Sequence, residues 1–153
     1  MPDDSKILCI SGPNLQLLGK REPAIYGSET LASIHRRMVD RAGQIGARIE
    51  ARQSNHEGEI VTWICDALGE FDGLVLNPGA YSHTSYAIHD AIKAVGLPCV
   101  EVHLSHIDGR EEFRRQSHVA PACVGRVSGF GAESYMLGLD GIVGYLRAHE
   151  PRG

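Results

Sequence analysis

Several features that would assign a chain to a specialised class are missing from this sequence. No stretch approaches the roughly 20 consecutive apolar residues of a membrane-spanning helix. The opening residues are polar and lack the apolar run of a secretory signal. The net charge of −4 and the dispersed basic residues do not favour a nucleic-acid-binding protein. We therefore expect a cytoplasmic protein that binds neither membranes nor nucleic acid.

Signatures of metal and cofactor binding are also missing. The four cysteines form no Cys-x-x-Cys pair and lie far apart, at Cys9, Cys65, Cys99 and Cys123. They are interpreted as buried, reduced, small apolar residues. Around His103-x-x-His106 and His83-x₅-His89, no close cysteine or convincing carboxylate completes a metal ligand set, and neither spacing is the i, i+4 pair of a helix. The first predicted strand is not followed by the glycine pattern of a dinucleotide or nucleoside triphosphate site. We expect no metal and no cofactor.

Short apolar runs that alternate with helical periodicity are the main pattern present, and they indicate βαβ units around a parallel sheet. Five strands are predicted, at residues 7–10, 48–53, 73–76, 99–102 and 122–127. The second alternates like an edge strand, and the third is apolar throughout like a central one. Helices are predicted between the strands and at residues 136–146, and Ser54-Asn55-His56-Glu57 has the spacing of a capping box. Residues 1–153 are therefore predicted to form one three-layer α/β domain with a five-stranded parallel sheet.

Polar residues follow three of the predicted strands. In an open parallel sheet, ligands bind beyond the carboxyl ends of the strands, where Asn14, Asn77, His83, His103 and Ser105 would meet. Each has a purely structural alternative, since Gly-Pro-Asn and Asn-Pro-Gly are common turns. His83 could contact the first turn of the following helix, and His103 could be a hydrogen-bonded core residue. Their shared position at one edge of the sheet favours a binding site.

Five blocks of sequence resemble, in order, the motifs of type II dehydroquinases. They are Gly-Pro-Asn-Leu at 12–15 with Arg-Glu-Pro-x-x-Tyr-Gly at 21–27, Gln-Ser-Asn-His-Glu-Gly-Glu at 53–59, Asn-Pro-Gly-Ala-Tyr-x-His-Thr-Ser at 77–85, Val-Glu-Val-His-Leu-Ser at 100–105 and Arg-Glu-Glu-Phe-Arg at 110–114. The resemblance implies a flavodoxin-like fold and a hydro-lyase that converts 3-dehydroquinate to 3-dehydroshikimate through an enolate, without Schiff base or metal. It also implies a dodecamer built from trimers, and a place in the shikimate pathway or in quinate breakdown.

The resemblance further implies roles for individual residues. Tyr26 would be the base that removes the proton beside the carbonyl, and the charge of Arg21 would favour its phenolate form. His103 would be the acid for the departing hydroxyl, with Glu101 as its support. Asn14 would stabilise the enolate. The substrate would be held by Asn77, His83, Asp90, Leu104, Ser105 and Arg114, with Asp90 contributed by a neighbouring subunit.

The segment from 18 to 28 is expected to act as a lid, hinged at Gly19 and Gly27 and poorly ordered without ligand. Gln16 stands where the family commonly has Asn, and residues 106–109 also depart from the family pattern. Two other functions are kept as alternatives. One is a flavodoxin-like binding module, although neither the acidic cluster of a phosphoacceptor nor the phosphate loop of a flavin carrier is found. The other is a hydro-lyase for a related cyclic polyol acid.

Overall fold

A computed structural model describes residues 4–20, 24 and 28–150, and these residues form the predicted three-layer α/β fold. The strands are β1 (Ser5–Ser11), β2 (Ala47–Gln53), β3 (Gly73–Asn77), β4 (Cys99–His103) and β5 (Gly125–Ser128). The α-helices of the described residues are α1 (Leu31–Gln44), α2 (Glu57–Asp66), α3 (Tyr86–Val95) and α4 (Glu133–Ala148). None of these helices is both long enough and apolar enough to cross a lipid bilayer.

The sheet is parallel throughout, with the strand order β2-β1-β3-β4-β5. This is the order of flavodoxin-like folds, whose ligands bind beside the carboxyl ends of β1 and β3. The predicted edge strand is β2, in which Arg48 and Glu50 are exposed. The predicted central strand is β3, which is buried along its whole length. The flavodoxin-like fold expected from the motifs is thus confirmed.

Helices cover both faces of the sheet. One core layer joins α1 and α4 to the sheet through residues such as Ile34, Met38 and Leu139. The other joins α2 and α3 to the sheet through residues such as Ile64 and Ile88. Because side chains alternate along a strand, β1, β3 and β4 contribute to both layers, whereas the apolar residues of the edge strands β2 and β5 belong to the first layer.

The predicted capping box at Ser54 is wrong. The helix α2 begins at Glu57, and the preceding His56 makes no side-chain cap. The N–H of Ser54 donates to the carbonyl of Ser11 at 3.0 Å, so residue 54 is still attached to the edge of the sheet. Its hydroxyl accepts from the N–H of His56 at 3.0 Å and forms a tight turn before the helix.

Two other expectations need correction. The fifth strand begins at Gly125, not at residue 122, because Ala120–Ala122 with Pro121 form a short 3₁₀ turn. Backbone pairing with β4 begins only where the N–H of Val124 donates to the carbonyl of Cys99. Not all cysteines are buried, since Cys65 lies on the exposed side of α2; all four are free thiols.

Candidate active site

A cavity opens beyond the carboxyl ends of β1, β3 and β4, and we call it the strand-end cavity. Sequence reasoning had selected seven of the residues that line it: Asn14, Asn77, His83, His103, Leu104, Ser105 and Arg114. Strand register explains why they meet, since Ser11 of β1 lies opposite Asn77 of β3, and Leu76 lies opposite Glu101 of β4. The loops that follow these three strands therefore leave the sheet side by side.

The loops after β1 and β3 pack closely against each other, which explains the glycines of the Gly-Pro-Asn and Asn-Pro-Gly motifs. The N–H of Gly12 donates to the carbonyl of Asn77 at 2.8 Å. A Cβ at Gly12 would lie 2.7 Å from the carbonyl oxygen of Pro78, so only glycine allows this approach. Gly79 adopts a φ of +58° and donates its N–H to Oδ1 of Asn77 at 3.1 Å. These turns are structural in themselves, yet they also build one wall of the cavity.

The side chain of Asn77 is oriented by a buried network that sequence reasoning missed. Nδ2 of Asn77 donates to the hydroxyl of Tyr135 at 3.0 Å, and that hydroxyl lies 2.9 Å from Oγ of Ser11. Burial raises the pKa of Tyr135, so the phenol stays protonated at neutral pH. Because Oδ1 accepts from Gly79, the amide NH₂ is the group that faces Tyr135. No sequence signal marked Tyr135, since its position on α4 is that of an ordinary core residue.

His103 is held by a buried carboxylate. Its Nε2 donates to Glu101, which is fully buried two residues earlier on the same face of β4. Ser117 donates to Glu101 at 2.9 Å, and Nε of Arg126 lies 3.6 Å from it. Burial alone raises the pKa of Glu101, but the contacts with His103, Ser117 and Arg126 outweigh it and hold the pKa below 4.5. Glu101 is therefore ionised at neutral pH, and Nδ1 is the ring nitrogen left for a ligand.

His83 has a different environment. Its Nδ1 lies 3.0 Å from the carbonyl oxygen of Gln116, and its ring meets Phe113 edge-on at 5.9 Å. Because a carbonyl only accepts, Nδ1 carries the proton and Nε2 is left as an acceptor. Burial lowers the pKa of His83, with a further contribution from the nearby charge of Arg114, so the ring is neutral near pH 7.

Two arginines bring positive charge to the strand-end cavity. Arg114 packs on the ring of Phe113, with 4.7 Å from its Cζ to the ring centroid, and pairs with Glu111. Arg110 also lines the cavity, and its guanidinium donates to Oγ of Ser105 at 3.3 Å. Sequence reasoning gave Arg110 no role in the site, although Arg110, Arg114 and Arg115 form the densest basic group of the chain and that was a usable signal. Guanidinium groups suit a carboxylate or another polar, anionic ligand.

One predicted substrate-binding residue does not line the cavity of its own chain, and two predicted catalytic residues lie outside the part that the structure describes. Asp90 lies on the exposed side of α3 and is not among the residues that line the cavity. Arg21 and Tyr26 lie outside the described residues, as does Gly27, one of the two predicted hinges. Gly19, the other predicted hinge, has a φ of +87°, and a Cβ there would lie 2.9 Å from the carbonyl oxygen of Ser28.

Across residues 4–20, 24 and 28–150, no three His, Cys, Asp or Glu side chains cluster in a way that could hold a metal ion. The strand-end cavity instead offers a carboxylate-supported histidine, a neutral histidine, amide donors and two guanidinium groups. This set can donate a proton to a leaving group and can hold an anion that also carries hydroxyl groups.

The chain is similar to known proteins both in sequence and in structure. The family profile described as Dehydroquinase class II matches residues 5–143. A 3-dehydroquinate dehydratase of Nostoc sp. is 54% identical over 141 residues, which cover 92% of this chain and 96% of that protein. The crystal structure of a type II dehydroquinase from Butyrivibrio crossotus has a TM-score of 0.89 and 42% identity, and the match covers 91% of this chain and 97% of that one. The corresponding structure from Propionibacterium acnes has a TM-score of 0.87 and 38% identity over 92% and 97% of the two chains.

Proposed function

Because the chain belongs to the class II dehydroquinase family, we propose that it is a hydro-lyase that dehydrates 3-dehydroquinate to 3-dehydroshikimate. Among the described residues, the observation that carries this proposal is the pair of His103 and Glu101 beside a cavity with two arginines. Loss of water from a β-hydroxy ketone needs a base for the proton beside the carbonyl and an acid for the departing hydroxyl.

The acid in this scheme is His103. Glu101 accepts a hydrogen bond from the Nε2–H of His103 and stabilises the imidazolium, while Nδ1 delivers its proton to the leaving hydroxyl. The arrangement resembles other buried carboxylate–histidine pairs, in which the carboxylate fixes the tautomer and orientation of the ring. The hydroxyl leaves as water, and the proton on Nδ1 is replaced from solvent or from the base after product release.

The base is Tyr26, with Arg21 beside it, and both assignments come from the motif that they share with the family. A phenol has an ordinary pKa of about 10, so the positive charge of Arg21 has to favour the phenolate. Removal of the proton beside the carbonyl gives an enolate, and Asn14 stabilises its oxygen. The enolate then expels the hydroxyl at the β-carbon with the help of His103.

The remaining cavity residues hold the substrate. Asn77 presents an amide N–H, His83 presents Nε2 as an acceptor, and Arg114 carries a charge suited to an anionic group. The backbone around Leu104 and Ser105 contacts the substrate carboxylate. Such a set matches an anion with several hydroxyl groups.

We also propose that the enzyme is a dodecamer built from trimers, in which Asp90 of one subunit completes the cavity of the next. The exposed position of Asp90 on α3, one turn from the exposed ring of Tyr86, supports this assignment. The enzyme would act in the cytoplasm, in the shikimate pathway of aromatic amino acid biosynthesis, with neither metal nor Schiff base.

The test is to follow the ultraviolet absorbance of the conjugated enone product from 3-dehydroquinate, without added metal and with a chelator present. Wild-type turnover that collapses in Tyr26→Phe would support both the reaction and the base. Turnover that survives in Tyr26→Phe would keep the reaction and reject the base. A folded wild type that leaves 3-dehydroquinate unchanged would reject the reaction, and a panel of related cyclic polyol acids would then be tried.

A further inference from the structure

Asn14 adopts an unusual backbone conformation. Its φ of +69° and ψ of −3° place it in the left-handed region, and it is the only non-glycine residue with positive φ among those that the structure describes. Asparagine tolerates this region better than most residues, but the conformation still needs support from its surroundings. The conformation matters because the position of the Asn14 side chain at the cavity follows from it.

The support comes from Asn55, in the loop after β2. Its Oδ1 accepts the backbone N–H of Asn14 at 3.0 Å. The same oxygen lies 3.2 Å from Nε2 of Gln53, which also donates to the carbonyl of Gly12 and to Oε1 of Gln16, each at 3.0 Å. Oδ1 of Asn55 thus accepts the N–H of Asn14 and contacts Gln53, whose Nε2 also contacts Gly12 and Gln16 on either side of Asn14.

Asn55 also contacts the loop after β3. Its backbone carbonyl accepts from the hydroxyl of Tyr81 at 2.7 Å, and Tyr81 belongs to the 3₁₀ turn that follows β3. Asn55 therefore joins the loops after β1, β2 and β3. It is exposed to solvent, it contributes nothing to the apolar core, and it does not line the cavity.

We propose that Asn55 is a positioning residue, which holds Asn14 in its left-handed conformation so that the Asn14 side chain faces the reacting carbonyl. This inference rests on the proposed function, in which Asn14 stabilises the enolate. The required feature of residue 55 is an acceptor oxygen; its amide NH₂ is dispensable. Aspartate has the same length and the same acceptor, so it should substitute, whereas leucine has the size without the oxygen.

The first experiment compares Asn55→Asp and Asn55→Leu with the wild type in turnover of 3-dehydroquinate. We expect Asn55→Leu to lower kcat by about 10- to 100-fold, because small displacements of a catalytic group have effects of this size. We expect Asn55→Asp to stay within about 3-fold of the wild type, well inside the effect of a displaced group. His56→Ala, a change at the exposed neighbouring residue, is the matched control and should leave kcat unchanged. Equal losses in the Asp and Leu variants, or no loss in either, would overturn the proposal.

A double-mutant cycle separates positioning from general loop damage. Asn14→Gly removes the side chain while glycine still tolerates positive φ. If Asn55 acts through Asn14, adding Asn55→Leu to Asn14→Gly lowers kcat no further. A second loss as large as the first would show that Asn55 acts elsewhere, and the proposal would fail.

A third readout does not depend on activity. The Asn14 N–H is protected by Asn55, so its hydrogen exchange, followed by NMR, should be slow in the wild type and in Asn55→Asp and fast in Asn55→Leu. Unfolding midpoints should be alike in all three, since residue 55 is exposed. If the wild type does not turn over 3-dehydroquinate, the proposed function fails, and the exchange data still decide whether Asn55 holds Asn14. Fast exchange of the Asn14 N–H in the wild type would contradict the inference.

Discussion

Replacing Glu101 with glutamine should separate the charge of this residue from its shape. Glutamine keeps an oxygen that can accept from Nε2 of His103, but it removes the negative charge that stabilises the imidazolium. A hydrogen bond to a charged group contributes about 1.5–3 kcal/mol, so the loss corresponds to about a 10- to 150-fold lower kcat. The fully buried position of Glu101 gives solvent little room to compensate.

The substitution also has a cost in stability that the structure lets us assign. Oγ of Ser117 accepts from the N–H groups of Val119 and Ala120, so its hydroxyl proton is directed at Glu101. The NH₂ of a glutamine would meet an oxygen that already accepts two hydrogen bonds. A buried donor without an acceptor costs about 1–3 kcal/mol, and we expect the free energy of unfolding to fall by about that amount.

The assay is turnover of 3-dehydroquinate from pH 5 to 9, with urea unfolding of the same preparations. Glu133→Gln is the matched control, because Glu133 is exposed and its ion pair with Arg37 lies at the surface, where such a contact is worth little. The pKa of Glu101 is held below its ordinary 4.5, so its contribution to stability is present above that pH and lost as the pH falls through the lower folded value. Glu101→Gln with wild-type kcat would refute the supporting role, and an unchanged unfolding curve would refute the hydrogen-bond argument.

Three further predictions follow from packing and titration. Gly138→Ala would place a Cβ 2.4 Å from Cγ1 of Val102 and should destabilise the protein by about 1–3 kcal/mol in urea unfolding. Gly144→Ala, on the open side of the same helix, should instead stabilise it by about 0.5–1 kcal/mol. A Gly138→Ala variant more stable than Gly144→Ala would contradict the packing. Tyr135→Phe should lower the free energy of unfolding by about 1–3 kcal/mol, because it leaves the buried amide of Asn77 without its acceptor. The same substitution should raise KM more than it lowers kcat. Unaltered stability and KM would show that water replaces the phenol. Because the folded pKa of His83 lies below 6.5, its contribution to the free energy of unfolding is fully present above pH 6.5 and is lost as the pH falls toward the folded pKa. His83→Gln should therefore flatten the dependence of stability on pH below 6.5. A dependence identical to that of the wild type would contradict the lowered pKa.

The local pattern of the sequence was sufficient for the elements and for most of the residues around the strand-end cavity. Apolar periodicity predicted β1 to β4 and the main helices, because burial of one face requires apolar side chains at the spacing of that element. The polar residues that follow β1, β3 and β4 were predicted to meet because parallel strands end at one edge of the sheet. Signals that depend on exact turns were less informative, as the failed capping box at Ser54 and the late start of β5 show.

Only the tertiary structure decided which polar groups bind each other. Ser11 and Tyr135 are 124 positions apart, Asn14 and Asn55 are 41 apart, and Glu101 and Ser117 are 16 apart. Such pairs depend on strand register and on how helices pack on the sheet, and neither leaves a periodic trace in the chain. By itself, therefore, the sequence determined which side chains gather at the carboxyl edge of the sheet. The fold determined their directions and protonation, because burial and distant hydrogen-bond partners exist only after the sheet and its helices have packed.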